Sequence, residues 1–292
     1  MRFSYAESMT DPGYYLPLAR AAEAAGFDSF VVPDSICYPR DSDSTYPYTP
    51  DGNREFLEDK PFIEPFSLIP AMGAVTETLR FTTFVVKLPV RNPVLAAKQA
   101  ASVAVLTGNR FGFGVGLSPW PEDYVACDQP WKNRGRRMDE QIEIIRGLTE
   151  GGYVEYHGEF YDLPAVKICP TPTERLPILI GGHADAALVR AARLCDGWMH
   201  AGSDADHLPV MIGRLDVLRR DAGRQHEPFE IHVISLDGYS VDGCRRLEEL
   251  GVTDVIIGFR NAYQMEQDTE TLQQKLDAMA WFADSVIAKV RG

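Results

Sequence analysis

The chain has 292 residues, 45% apolar and 24% charged, which excludes a disordered or low-complexity polypeptide. Lysine and arginine number 29 against 42 acidic residues, a net charge of −13 without a basic cluster, so no nucleic-acid or anionic-membrane partner is expected. No apolar run reaches the ~18 residues of a membrane helix, the start MRFSYAESMTDP lacks a signal-peptide core, and five scattered cysteines without C-x-x-C imply reduced thiols in the cytoplasm.

In chain order, strand-like and helix-like segments alternate. Residues 2–6 predict a strand, and 13–25 a helix that tolerates Pro17 only in its first turn and stops at Gly26. Residues 27–34 predict the second strand, 65–78 a helix, and LRFTTFVVK at 79–87 the third strand. Asn92-Pro93 is an N-cap followed by proline at the first helical position; the helix it opens carries Val94, Ala97, Ala101 and Val105 and ends at Gly108. RFGFGVG (110–116) is the fourth strand, and Met138, Ile142, Ile145 and Leu148 mark a helix ending at Gly151. PILIGG (177–182) leads directly into a helix over 183–195, followed by a strand at 196–202 and a helix at 206–222. Residues 230–236 and 253–259 are strands, Ser240 caps the helix between them, and the stripe of Leu272, Leu276, Met279, Phe282 and Val286 closes the chain.

Eight strands alternating with eight helices imply parallel strands with helical crossovers, in an open doubly wound sheet or a closed barrel. The count of eight, and the lack of a G-x-G-x-x-G after the first strand, favour a (β/α)8 TIM barrel. A quotient of about 150 residues per domain predicts two domains. Three long insertions account for the excess, so one domain over 1–292 is expected. Segments 35–64 and 117–134 follow strands two and four, on the face where barrel active sites are built. Segment 152–176 begins on the opposite rim and predicts a hairpin around His157-Gly158. The six histidines show no H-E-x-x-H or other ligand spacing, so no metal is expected.

LRFTTFVVKLPVRNPVLAAKQAASVAVLTGNRFGFGVGLS (79–118) resembles the bacterial-luciferase-like flavin and deazaflavin oxidoreductases. AGFDSFVVPDS (25–35), RGRRMDEQIEIIRGL (134–148), YHGEFY (156–161) and PILIGGHADAALVRAARLCDGW (177–198) match in family order, over nearly the whole chain. The resemblance implies a small organic substrate, a homodimer packed through barrel helices (the alanine-rich surface of 94–105 would serve), and coenzyme F420, with FMN as the alternative. The modest length is similar to the deazaflavin branch, which implies hydride transfer rather than monooxygenation.

The same resemblance distributes the candidate residues. Gly181, Gly182 and His183 open a helix, where free N–H groups and glycine admit a phosphate; a plain tight turn is the alternative. Thr83, Phe84 and Val85 fall where family members carry a non-prolyl cis peptide against the ring, at bond 83–84 or 84–85. Asp34 falls at a ring-edge position, as a ring contact, a catalytic or substrate-binding group, or a turn cap. Leu117 follows Gly114-Val115-Gly116 at the cofactor position where the sugar-phosphate dehydrogenases of this branch carry Glu. Ser35 stands where those enzymes carry His, so glucose-phosphate oxidation is disfavoured. His200 is the second catalytic candidate, and Arg134 a candidate phosphate contact. Glu64, Glu122 and Asp123 sit in or beside the same loops, and Tyr38, Tyr46, Tyr48, Trp120 and Trp131 suit a partly apolar pocket.

Overall fold

In the computed structural model, residues 1–46, 49, 51–202 and 207–292 are described; Tyr48 of the expected aromatic set lies outside them. The barrel strands are β1 (Arg2–Ala6), β2 (Ser29–Val32), β3 (Arg80–Thr83) continued by β4 (Val86–Lys87), β5 (Phe111–Gly116), β8 (Ile178–Gly181), β9 (Gly197–His200), β10 (Glu230–Ile234) and β11 (Asp254–Ile257). All pair in parallel. Ser4 registers with Ser29, Ser29 with Arg80, Phe81 with Phe111 and Phe113 with Ile178. The circle closes where Phe3 registers with Val255. Eight parallel strands ringed by helices make a closed (β/α)8 barrel, as expected.

The expected single strand over 79–87 is two pieces, because the Phe84–Val85 peptide is cis and interrupts the ladder. The helices are α1 (Tyr15–Ala24), α2 (Pro65–Gly73), α3 (Pro93–Leu106), α4 (Pro121–Ala126), α5 (Arg134–Glu150), α6 (Asp185–Leu194), α7 (His207–Asp221), α8 (Val241–Glu249) and α9 (Leu272–Phe282). Asn92 and Ser240 cap α3 and α8 through their side chains. α4 lies within the insertion 117–134, where no helix was expected. The 152–176 insertion contains the expected hairpin, β6 (Val154–His157) with β7 (Asp162–Val166).

Alternation along β5 shows how the barrel is filled. Phe111, Phe113 and Val115 join the buried core beneath the helices, while the glycines between them face the opposite way. A Cβ on Gly114 would stand 1.8 Å from the Thr83 carbonyl oxygen, so only glycine lets these two backbones approach. The alanines of α3 are also inside: Ala96, Ala97, Ala100, Ala101 and Ala104 are buried, leaving Leu95 and Leu106 outside. The alanine surface expected to serve a homodimer is therefore intramolecular packing. Among the described residues no helix is long and apolar enough to cross a membrane.

Charges gather at the N-terminal mouth. Arg2 meets Asp254 at 2.6 Å and Glu230 at 2.9 Å, and His232 Nε2 lies 2.7 Å from Glu230 and 3.3 Å from Asp254. Glu230, His232 and Asp254 are close enough to share a cation. The Arg2 guanidinium already supplies the positive charge between the two carboxylates.

Candidate active site at the C-terminal mouth

The cis bond at Phe84–Val85 turns Val85 toward two glycines. A Cβ on Gly116 would lie 2.7 Å from one Val85 methyl, and a Cβ on Gly181 would lie 3.0 Å from the other. Thr83 Oγ1 donates to the Gly114 carbonyl at 2.7 Å, and Phe84 N–H donates to the Val32 carbonyl at 2.8 Å. The result is a partly exposed apolar knob seated on bare backbone. Leu117, 37% exposed, follows Gly116 at the same rim.

Beside this knob, Asp34 is fully engaged. Arg91 binds both its oxygens, at 2.8 and 3.0 Å, and Lys87 N–H donates to it at 2.9 Å. Such a bidentate pair fixes orientation as well as charge. Asp34 thus ties the end of β2 to the segment that follows the cis bond. Lys87 Nζ in turn meets Asp123 at 2.8 Å, and Ser118 Oγ also donates to Asp123, which is wholly buried. The sequence reading assigned no role to Lys87 or Arg91, although Arg91 begins the R-N-P pattern.

Across the mouth, β8 runs into α6. Gly182 has φ +127°, and Ala184 at the N-cap offers no side-chain cap, so the first backbone N–H groups of α6 have no cap oxygen. Asp185, in the first turn, is drawn away by Arg214 at 2.8 Å. The Trp198 indole donates to the Gly182 carbonyl at 2.8 Å. His183 and His200 stack at 4.4 Å between centroids. His183 Nε2 accepts from Ala201 N–H and His200 Nδ1 from Gly202 N–H, each at 3.2 Å. Burial, then the neighbouring His183, pushes His200 down to about 4 against a hydrogen bond with the Ile234 backbone, and burial also lowers His183. Both rings are neutral near pH 7.

The other candidates divide. Arg134 begins α5 and stacks on Trp131 at 3.6 Å. Glu64 caps α2, accepting from Ser67 N–H at 2.9 Å. Glu122 accepts from Ser44 Oγ at 3.3 Å. Three loops meet over the mouth in an aromatic cluster: Tyr46 stacks on Trp120 at 5.6 Å and packs against Phe56 and Tyr263. Phe56 and Tyr263 were missed, because no periodicity marks contacts between loops 200 residues apart. The loop carrying Tyr263 is itself anchored by buried charges, with Lys275 Nζ 3.1 Å from Glu7 and 2.9 Å from Asp268, and Arg260 3.2 Å from Glu7.

The fold and this mouth together define a class: a (β/α)8 barrel with a cis-peptide knob after its third strand and a glycine turn after its fifth. A model of the luciferase-like monooxygenase family matches residues 2–237, and the chain belongs to that family. An uncharacterised protein of Mycobacterium tuberculosis is 63% identical over 290 residues, 99% of this chain and 100% of that one. The FMNH(2)-dependent dimethylsulfone monooxygenase of Pseudomonas fluorescens is 27% identical over 232 residues, 78% of this chain and 58% of that one. Two solved structures share the fold over both chains. An F420-dependent secondary alcohol dehydrogenase has a TM-score of 0.76 at 16% identity, covering 100% of this chain and 99% of its own. Monooxygenase RslO1 of Streptomyces bottropensis has 0.75 at 18%, covering 99% of each. The protein is thus of an oxidoreductase and monooxygenase superfamily whose neighbours use F420 or FMN.

Proposed function

We propose that the protein is an F420-dependent oxidoreductase that transfers hydride to or from a small organic molecule. The observation that carries this reading is Val85, partly exposed and seated on Gly116 and Gly181, an apolar support against which a flat ring could lie. The uncapped start of α6 after Gly182 fits a phosphate on the same cofactor, through free N–H groups and the helix dipole. When bound, the deazaflavin supplies the hydride-carrying carbon. The chain's own residues bind and orient. In this reading Asp34 is a positioning residue, holding the Lys87–Arg91 segment that carries the knob. His183 lies at the phosphate turn, and the neutral His200 ring supports it from behind. Leu117 and Arg134 bound the same rim, and the aromatic cluster excludes water.

The second reading, an FMN-dependent monooxygenase, draws on the 27% identity with the dimethylsulfone enzyme. Titration of the purified protein with F420 and with FMN separates the two. Saturable F420 binding with weak FMN binding is expected. Tight FMN binding without F420 binding overturns the first reading.

A further inference from the structure

Along the chain from Asp34, described residues of the segment 35–64 line a second feature of the C-terminal face. A cavity of about 200 Å³ is lined by Cys37, Tyr38, Arg54, Lys60, Phe62 and Trp120, among others. Its inner wall, Ser35 to Cys37, directly continues from Asp34, so connectivity places it beside the proposed cofactor site. It is smaller than the roughly 300–1,000 Å³ typical of pockets for drug-sized ligands.

Two cations border this space, both more than nine-tenths buried: Arg54 at 9% exposure and Lys60 at 8%. Lys60 donates to the carbonyls of Met265 (3.2 Å) and Glu266, and so pins the opposite loop. Among the described residues Arg54 donates to the Pro39 carbonyl at 3.1 Å and lies over the rings of Tyr38 (4.8 Å) and Trp120 (5.9 Å). Among the described residues no carboxylate forms an ion pair with either. Glu122 feels the charge of Arg54 but gives its oxygens to Ser42 and Ser44. Asp59 borders the cavity from an exposed position. With no direct ion pair among the described residues and only the longer-range charge of Glu122 near it, this buried guanidinium gains from an anion that joins it, and its planar fork suits a carboxylate.

We infer that this cavity takes the carboxylate of a small organic acid, with Arg54 as its anchor and the rings of Tyr38 and Trp120 against its apolar body. That the acid is the substrate rests on the oxidoreductase reading; that it binds does not. The test uses cofactor-free protein with benzoate and benzamide, nearly equal in shape and different in charge, measured by isothermal titration. Benzoate is expected to bind at least about tenfold more tightly than benzamide. Added salt should weaken benzoate alone, a measurement that needs no variant. Arg54→Met should remove the benzoate advantage and leave benzamide unchanged, and Arg54→Lys should restore part of it. Equal affinities for the two probes, no benzoate binding, or unchanged benzoate affinity in a folded Arg54→Met protein overturns the inference. If benzoate binds as expected while F420 and FMN both fail to bind, the acid site stands and the hydride-transfer reading falls.

Discussion

At the N-terminal mouth of the barrel, Arg2, Glu230, His232 and Asp254 contact one another over distances of 2.6 to 3.3 Å. At the C-terminal mouth the ion pairs stand aside. Asp34 with Arg91 and Asp123 with Lys87 brace the loops, while the centre is left to Val85 and glycine backbone. The first network ties the opening strand to the last two; the second braces the loops around a partly exposed apolar side chain. The contrast predicts that damage at the first mouth registers in stability and damage at the second in binding.

The sharpest way to break this comparison is Asp254→Ala. Asp254 is buried, with its side chain 3% exposed, and its loss deprives Arg2 and His232 of a partner. Breaking a buried pair on one side costs about 3–5 kcal/mol. Urea denaturation should show that loss, while cofactor affinity below the unfolding transition stays as in the wild type. A parallel loss of affinity would mean that the two mouths are coupled.

Acid separates the mouths by pH window. Burial pushes Glu230 up, but the hydrogen bond and charge of His232, then Arg2 and Arg80, hold it down at about 2. Its contribution is complete above the unfolded value near 4.5 and is lost as pH falls toward 2. His200, held at about 4, is likewise depressed, from an unfolded value of 6.5. The stability tied to its neutral ring is complete above pH 6.5 and is lost as pH falls toward 4. Urea midpoints across this range should therefore fall in two stages. His200→Gln should shrink the upper stage, to which His183 also contributes, and Glu230→Gln the lower; one substitution shrinking both would refute the separation.

A smaller effect is expected from Gly116→Ala. The new methyl would meet Val85 at 2.7 Å and push the knob aside. Overpacking of this kind costs about 1–3 kcal/mol. If Val85 supports the ring, F420 affinity should fall at least about tenfold, more than a loss of stability in a still-folded protein explains. Unchanged F420 binding would remove Val85 from the site.

Much of this was readable because local chemistry encodes it. The alternation of RFGFGVG is the imprint of a strand with a packed outer face and bare inner backbone. Asn92-Pro93 and Ser240 start helices through atoms within three residues. Gly182 marks a turn that needs positive φ. What could not be read is what barrel closure brings together. Arg91 reaches Asp34 across 57 residues, and Lys87 reaches Asp123 across 36. The N-terminal network joins the first strand to the last two, so its acids and His232 show no ligand spacing in sequence. Arg54, in an irregular loop, acquires its meaning only from Trp120 and the cavity between them.

The gentlest test separates the position of the knob from its rigidity. Thr83→Val keeps the side-chain shape and removes the hydroxyl that donates to the Gly114 carbonyl at 2.7 Å. The lost bond should cost about 1 kcal/mol in urea denaturation. The Val85 methyls still rest on Gly116 and Gly181, so a support defined by packing alone would bind F420 as tightly as before. A support that depends on its tether would lose affinity in proportion to the stability lost. We expect the former, because nothing in this substitution fills the space above Val85. A drop in affinity larger than that of Gly116→Ala would reverse the order of the two contributions and make the hydrogen bond, rather than the bare backbone, the defining feature of the C-terminal mouth.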